Sequence, residues 1–395
     1  MREEMISRCV LLAILFVQAG AGLSCLAAES NVVSSWPIYH GDAGLRGIAE
    51  TVVPEKLVVA WRYTVGAPVL ASPVVSGGRI FFTAEDGAAY ALNMQGEKIW
   101  SAAITNEAPT ASNATVQVER FSTPPVCIRD TVLIGSDAGF LHALESATGK
   151  TRWKYQSGEN LNGSPNWIEP ESARGYSAVV ISQSDAVVHR VDIETGRKVW
   201  ASQAISRCDG SPAVGKGFVV FGSCDQALHV LSAATGEIIA RIELEADGQV
   251  AGGVAIDGDL AFAGTRGGLA VCADIRKASI VWTNQVSRAE LFATPALASD
   301  RVVTCSNDGI VYCLNRANGR KIWSFAAKGT PASPVIAGDK VIVSSGGTMY
   351  IFRLGDGSKL WADKAGDSIT SPAVIDGKII IGTDEGLVIM YGAAK

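Results

Sequence analysis

The sequence predicts an all-β protein, an eight-bladed β-propeller of four-stranded antiparallel blades, and three observations carry that prediction. First, a Ser/Thr-Pro pair followed by apolar residues recurs at Ser72, Thr123, Ser164, Ser211, Thr294, Ser333 and Ser371. Gly252-Gly253 holds the corresponding place in a degenerate eighth copy. Successive copies are 38 to 51 residues apart, the length of one blade. Second, a glycine is followed four residues later by tryptophan at Gly96/Trp100, Gly149/Trp153, Gly196/Trp200, Gly319/Trp323 and Gly357/Trp361. Third, one tryptophan of this type, Trp61, stands before any first strand, while the last copy stops after its third strand at 387–391.

Along the chain, residues 1–28 read as a secretory signal. Arg8 precedes the apolar run 9–17, and Cys25-Leu26-Ala27-Ala28 offers small residues for cleavage. The run is too short to span a bilayer. Leu23-Ser24-Cys25 opens a second reading, a lipid anchor at Cys25, against which Gly22 stands where an aliphatic residue is usual. Residues 29–57 form an N-terminal leader containing Trp36-Pro37, and 58–395 form the propeller.

Within the first copy, a short strand at 73–75 reaches a turn at Ser76-Gly77-Gly78, and a second strand follows at 79–83. The acidic turn Glu85-Asp86-Gly87 leads to a third strand at 89–92, then a glycine turn, then a fourth strand at Trp100. Runs such as 378–384 are β-branched, about five residues long and ended by turn formers, which argues strand and not helix. The fourth strands are marked by Trp61, Trp100, Trp153, Trp200, Trp282, Trp323 and Trp361, with Ala240 in place of the tryptophan in one copy. Trp282 in turn lacks its glycine. Residues 58–63 are predicted to complete the last blade and close the ring, leaving no long unpaired edge. Two stretches, 101–122 and 166–177, interrupt the period as loop insertions.

Composition narrows the function classes. Of 395 residues 48% are hydrophobic, so a large core is available, and 42 glycines suit many short strands. Net charge is −5 with no clustered lysine or arginine, which excludes the footprint of a nucleic-acid binder. Export permits disulfides, and Cys208 with Cys224 flanks one predicted hairpin, making that pair the disulfide candidate. Cys272 and Cys313 occupy third-strand positions otherwise filled by alanine and read as buried small hydrophobes.

The repeat Ala143-Leu144-Glu145-Ser146-Ala147-Thr148-Gly149-Lys150-Thr151-Arg152-Trp153, with a second copy over 190–200, resembles the tryptophan-docking repeat of pyrroloquinoline-quinone (PQQ) propellers. The resemblance spans 58–392. Within that family the quinoprotein alcohol dehydrogenases carry a vicinal disulfide ring, calcium-ligating acids and an Asp base, and this sequence has no Cys-Cys dipeptide. The BamB family of outer-membrane assembly factors is the closer resemblance. It implies an exported, periplasmic or outer-membrane-associated monomer that binds a protein of the barrel-assembly complex and needs no cofactor. The leader Trp36-Pro37-Ile38-Tyr39-His40-Gly41-Asp42 also resembles that of exported PQQ-repeat proteins.

Candidate chemistry sorts as follows. His142, His189 and His229 share one third-strand position in successive blades. Sheets packed about 10 Å apart cannot bring them within the roughly 2 Å that zinc requires, so a metal site is not expected there. Asp86, Asp137, Asp185, Asp225, Asp308 and Asp384 sit in second-to-third-strand turns and read as turn formers. No nucleophile elbow, Walker loop or HExxH helix occurs, so no catalytic residue is assigned. The loops joining blades share one face with the second-to-third-strand turns. On that face Arg120, Asn162, Arg207, Asp209, Arg266 and Glu290 are the candidate binding residues. The expected function is a non-enzymatic scaffold binding an envelope partner there. The alternative is a PQQ- and calcium-dependent oxidoreductase, or a small-ligand-binding protein, using the central channel.

Overall fold

The computed structural model describes residues 34–106, 117–170, 175–245 and 247–394; the predicted signal and Cys25 lie outside them. Eight four-stranded antiparallel blades form the ring. Blade 1 comprises Val74–Ser76, Arg79–Thr83, Ala88–Asn93 and Lys98–Ala103. Blades 2 to 7 repeat this order over 126–156, 166–201, 213–243, 255–285, 296–326 and 335–364. Blade 8 takes its inner three strands from Ala373–Ile375, Lys378–Gly382 and Leu387–Ala393 and its fourth from Leu57–Thr64, in register from Leu57 opposite Ala393 to Thr64 opposite Leu387. Closure therefore occurs as the sequence predicts, with a strand one residue longer at each end. The copy expected to be degenerate at Gly252-Gly253 is a regular blade. By register Gly253, not Gly252, holds the Ser/Thr place, and a Cβ on it would lie 2.2 Å from Thr294 Oγ1 of the next blade.

Burial follows strand position. Second and third strands are covered on both faces, so Ile80, Phe81, Phe82, Ala91 and Leu92 are all buried. Fourth strands alternate, as in the pattern of Leu57–Thr64, because only one face meets the next blade. At the residue before each docking tryptophan, or before Ala240, every fourth strand carries one extra residue. Ala91 pairs with Trp100 but Leu92 with Lys98, for example, leaving Ile99 as a β-bulge.

Each docking tryptophan reaches the next blade. The indole N–H of Trp100 donates to Ser146 O at 3.0 Å, Trp153 to Ile193 O at 2.8 Å and Trp323 to Leu354 O at 2.8 Å. The ring lies on the glycine of the facing turn: a Cβ at Gly149 would meet Trp100 at 2.6 Å, and Gly149 has φ +73°. In the one place where tryptophan is replaced, Ala240, the facing turn carries Ala278 at φ +50°. The two departures from the repeat thus face each other. Trp361 instead meets Tyr391 edge to face, with centroids 5.5 Å apart.

The Ser/Thr of the recurrent pair also joins blades. Ser211 Oγ accepts the N–H of Ser164 at 2.9 Å, Ser333 Oγ that of Thr294 at 2.9 Å, and Ser371 Oγ that of Ser333 at 3.1 Å.

The leader, predicted only as a segment preceding the first strand, runs around the inside of the ring. Trp36 exchanges two backbone hydrogen bonds with Val75 of blade 1, both 2.8 Å. Carbonyls of Pro37, Ala43, Gly44, Arg46 and Gly47 then accept N–H groups of Cys127, Val214, Ile256, Leu297 and Ile336 at 2.7–2.8 Å. These five residues occupy the register position of Val75 in blades 2, 4, 5, 6 and 7. In blade 3 the Asn166 amide reaches Ala43 O at 2.8 Å, and in blade 8 the N–H of Gly377 reaches Thr51 Oγ1 at 2.8 Å. Ile48–Ala49 adds a parallel fifth strand to blade 7.

Candidate functional site

The first strands begin at the blade-joining loops, so their opposite ends, where the leader binds, lie away from the loop face. The loop face carries the candidate site. Its residues come from the loops before blades 3, 4 and 6 and from second-to-third-strand turns, all presented by rigid sheets.

Asp209 is the hub. Its carboxylate accepts from Gln183 Nε2 at 2.7 Å and Arg207 Nε at 2.9 Å, and Arg266 Nη2 lies 3.6 Å away. Asn162 Nδ2 donates to Asp209 O at 3.3 Å. Arg266 also donates to Glu290 Oε1 at 3.2 Å and lies over the Phe292 ring, 5.0 Å from its centroid. Asn307 Nδ2 completes the chain to Glu290 Oε2 at 3.0 Å. Burial alone would raise the Asp209 carboxyl. The hydrogen bonds from Arg207 and Gln183, with the charges of Arg207 and Arg266, outweigh it and hold the pKa below the usual value.

The structure thus brings together five of the six predicted residues: Asn162, Arg207, Asp209, Arg266 and Glu290. Arg120 is exposed on the loop before blade 2 and contributes its carbonyl, to Asp137 N–H, outside this network. Gln183, Asn307 and Phe292 were not singled out from the sequence. Gln183 and Asn307 each precede a turn aspartate, and Phe292 stands two residues before Thr294 as Asp209 stands two before Ser211. Position in the repeat was therefore the available signal. Arg207, 58% exposed, and Glu290, 39% exposed, remain open to a partner while their inner atoms are held. Such a surface can orient a charged partner.

Other predicted groups have local roles. His142 pairs with Glu119 at 3.1 Å, His189 Nδ1 lies 2.9 Å from Tyr155 Oη, and His229 Nε2 lies 3.0 Å from both Ser223 Oγ and Asp225 Oδ1. The last set contains the residue types of a catalytic triad, but serine and carboxylate meet the same ring nitrogen, whereas a triad uses both. Ser223 is also fully buried. Among the described residues no three His, Cys, Asp or Glu side chains converge as metal ligands. The turn aspartates bond locally: Asp86 to Ala88 N–H at 3.0 Å and to Tyr90, Asp185 to Ser182 Oγ at 2.5 Å, and Asp384 to Ser368 N–H at 3.0 Å.

The disulfide expectation is corrected: Cys208 and Cys224 are both free. The Cys208 thiol turns into the core and contacts Gly210 O at 3.5 Å, while Cys224 stays half-buried. Burial raises the Cys208 thiol to about 12. Cys272 and Cys313 are buried, as expected of small hydrophobes.

On the leader side, a cavity of about 920 Å³ opens between the leader and blades 3 to 5. Its charges are largely internal pairs: Arg46 with Asp42 at 2.7 Å and Arg276 with Asp259 at 2.7 Å. At the channel axis, Tyr39 Oη lies 3.0 Å from Thr294 Oγ1 and 2.5 Å from Ser333 Oγ, and Ile38, His40 and Leu45 are buried around it.

Comparison with known proteins agrees with this architecture. The family model described as outer membrane protein assembly factor BamB matches residues 58–241 and 225–394. A BamB from Shewanella oneidensis is 25% identical over 277 residues, 63% of this chain and 67% of that protein. The crystal structure of BamB from Moraxella catarrhalis superposes with TM-score 0.68 at 18% identity, covering 86% of this chain and 98% of the other. A europium-containing methanol dehydrogenase superposes with TM-score 0.73 at 11% identity, covering 91% and 98%. At such identities these structures establish the fold alone.

Proposed function

The chain belongs to the family of outer membrane protein assembly factor BamB, and from that premise we propose that it is an exported, non-enzymatic scaffold of the cell envelope. Its loop face docks a protein of the outer-membrane assembly machinery. The observation that carries this reading is the Arg207–Asp209–Arg266–Glu290 network, which fixes charges contributed by three successive blades while leaving their outer edges exposed. Preorganised arginines beside an aromatic ring are the features that dominate protein interfaces. The leader filling the channel axis supports a scaffold over an enzyme that holds PQQ and calcium there. Two of the loop-face cations that would meet a carboxylated quinone, Arg207 and Arg266, are already paired with Asp209 and Glu290.

The test is co-purification from envelope extracts with the double variant Arg207→Glu, Glu290→Lys against wild type. Wild type recovers an outer-membrane assembly component and the variant loses about tenfold or more of it, in line with the cost of reversing charges at a hot spot. Equal recovery with the variant would overturn the loop-face assignment. Saturable PQQ binding with dye-linked alcohol oxidation would overturn the non-enzymatic reading.

A further inference from the structure

The inner edges of the first strands present N–H groups that no other blade strand pairs. Those at Val75, Cys127, Val214, Ile256, Leu297 and Ile336 stand at one register position, and each meets a backbone carbonyl of the leader, taken in chain order. We infer that this ring of strand edges is a peptide-binding site, and that the leader segment 36–51 is its resident ligand, held by specific recognition and not merely tethered.

The chemistry of that ligand can be read from the fit. Backbone hydrogen bonds supply sequence-independent attraction, as when a strand adds to a sheet edge, and side chains supply the selection. Trp36, Ile38 and Leu45 are buried, and Tyr39 projects up the axis to the hydroxyls of Thr294 and Ser333. His40 Nδ1–H donates to Leu45 O at 2.8 Å and closes the leader's own bend. Glycine is required at three close approaches: a Cβ at Gly44 would lie 2.6 Å from Ile256 O, one at Gly47 2.6 Å from the His40 ring, and one at Gly41 2.8 Å from the Trp36 ring. The site therefore takes an extended, glycine-interrupted peptide with an aromatic residue aimed along the axis. A small molecule entering from the leader side would have to displace it.

Between Thr51 and Leu57 the chain passes to the outer strand of blade 8, and Glu55 and Lys56 are exposed there. A protease site inserted between them allows the leader to be cut after the full chain has folded. Native mass spectrometry then follows exchange of the cut leader against isotope-labelled synthetic peptide of residues 34–55. The cut leader is expected to stay bound, and peptides carrying Tyr39→Ala or Gly44→Ala are expected to compete at least about tenfold more weakly, the factor set by about 1.4 kcal/mol. In the uncut chain, the same two substitutions are expected to speed hydrogen exchange at Val214, Ile256, Leu297 and Ile336 more than at amides within the second and third strands. Release of the cut wild-type leader from a propeller that stays folded overturns the inference. So does equal competition by the variant peptides, or unchanged exchange at those four amides in the uncut variants.

Discussion

At the residue scale, the pair Ala240 and Ala278 shows how much of the repeat is dictated by a single contact. At six of the seven docking tryptophans the ring lies so close to the facing turn that only hydrogen fits on its Cα; a Cβ at Gly319 would meet Trp282 at 2.5 Å. Where Ala240 replaces tryptophan, Ala278 can keep its Cβ at φ +50°. Gly149→Ala is therefore expected to destabilise the protein by about 2–4 kcal/mol, combining left-handed strain with overpacking. Ala278→Gly is expected to stay within about 1 kcal/mol of wild type. Ala240→Trp should be destabilising alone and rescued by Ala278→Gly, a coupling that urea denaturation of the cycle measures. Additive effects would show that the two positions do not sense each other.

A second residue-scale prediction concerns His189. Burial lowers its pKa from 6.5 to about 4. Between those values the unfolded chain binds a proton that the folded chain does not, so stability falls as pH drops through this window. The slope approaches about 1.4 kcal/mol per pH unit, for a total of roughly 3 kcal/mol below pH 4. The difference in unfolding free energy between pH 7 and pH 4.5 should shrink in His189→Gln. An unchanged difference would mean that His189 is already protonated in the fold. These contacts were only partly legible beforehand. The glycine-to-tryptophan interval is visible in the sequence, but the compensation at Ala278 is not, because it depends on which turn faces which strand. Cys208 and Cys224 were legible as neighbours along a hairpin, whereas the inward turn of the Cys208 side chain was not.

At the element scale, the fourth strands are the exposed edges of eight sheets and would template pairing between molecules if left flat. Each carries a bulge at the residue before its tryptophan or Ala240, and in four blades a lysine, Lys98, Lys198, Lys321 or Lys359, stands just before the bulge. Blades 4 and 5 instead place Ile238-Ile239 and Ile280-Val281 there, all more than one-third exposed. Ile239→Lys with Val281→Lys is expected to change stability by no more than about 0.5 kcal/mol per site while reducing self-association at high concentration. Sedimentation velocity checks the second effect; undiminished association would show that the bulges alone protect these edges. Strand order and blade limits were readable from apolar runs and turn residues. The bulges were not, since one extra residue does not disturb the alternation enough to show. On the loop face, position relative to the Ser/Thr-Pro pair picked out Asp209 and Glu290. Their partners Gln183 and Asn307 lie 26 and 17 residues away along the chain, in second-to-third-strand turns that only the folded blades bring against these loops.

At the scale of the whole molecule, two segments that precede the first blade in sequence hold the ring together. Leu57–Thr64 closes it from outside, and the leader contacts all eight blades from inside. Closure was legible because a stray tryptophan and a missing fourth strand complement each other. The leader's path was not, because its pairing is with strand edges and follows neither helical nor strand periodicity. Together they leave the loop face as the open, rigid surface, and the central claim is that the partner is met there. Photo-crosslinking in intact envelopes tests this most directly, with a photoreactive residue placed in turn at Arg207, at Glu290 and, as a control on the outer rim, at Lys359. Crosslinks to an outer-membrane assembly protein are expected from the first two positions and none from the third. Crosslinks to such a protein from Lys359 alone would contradict it.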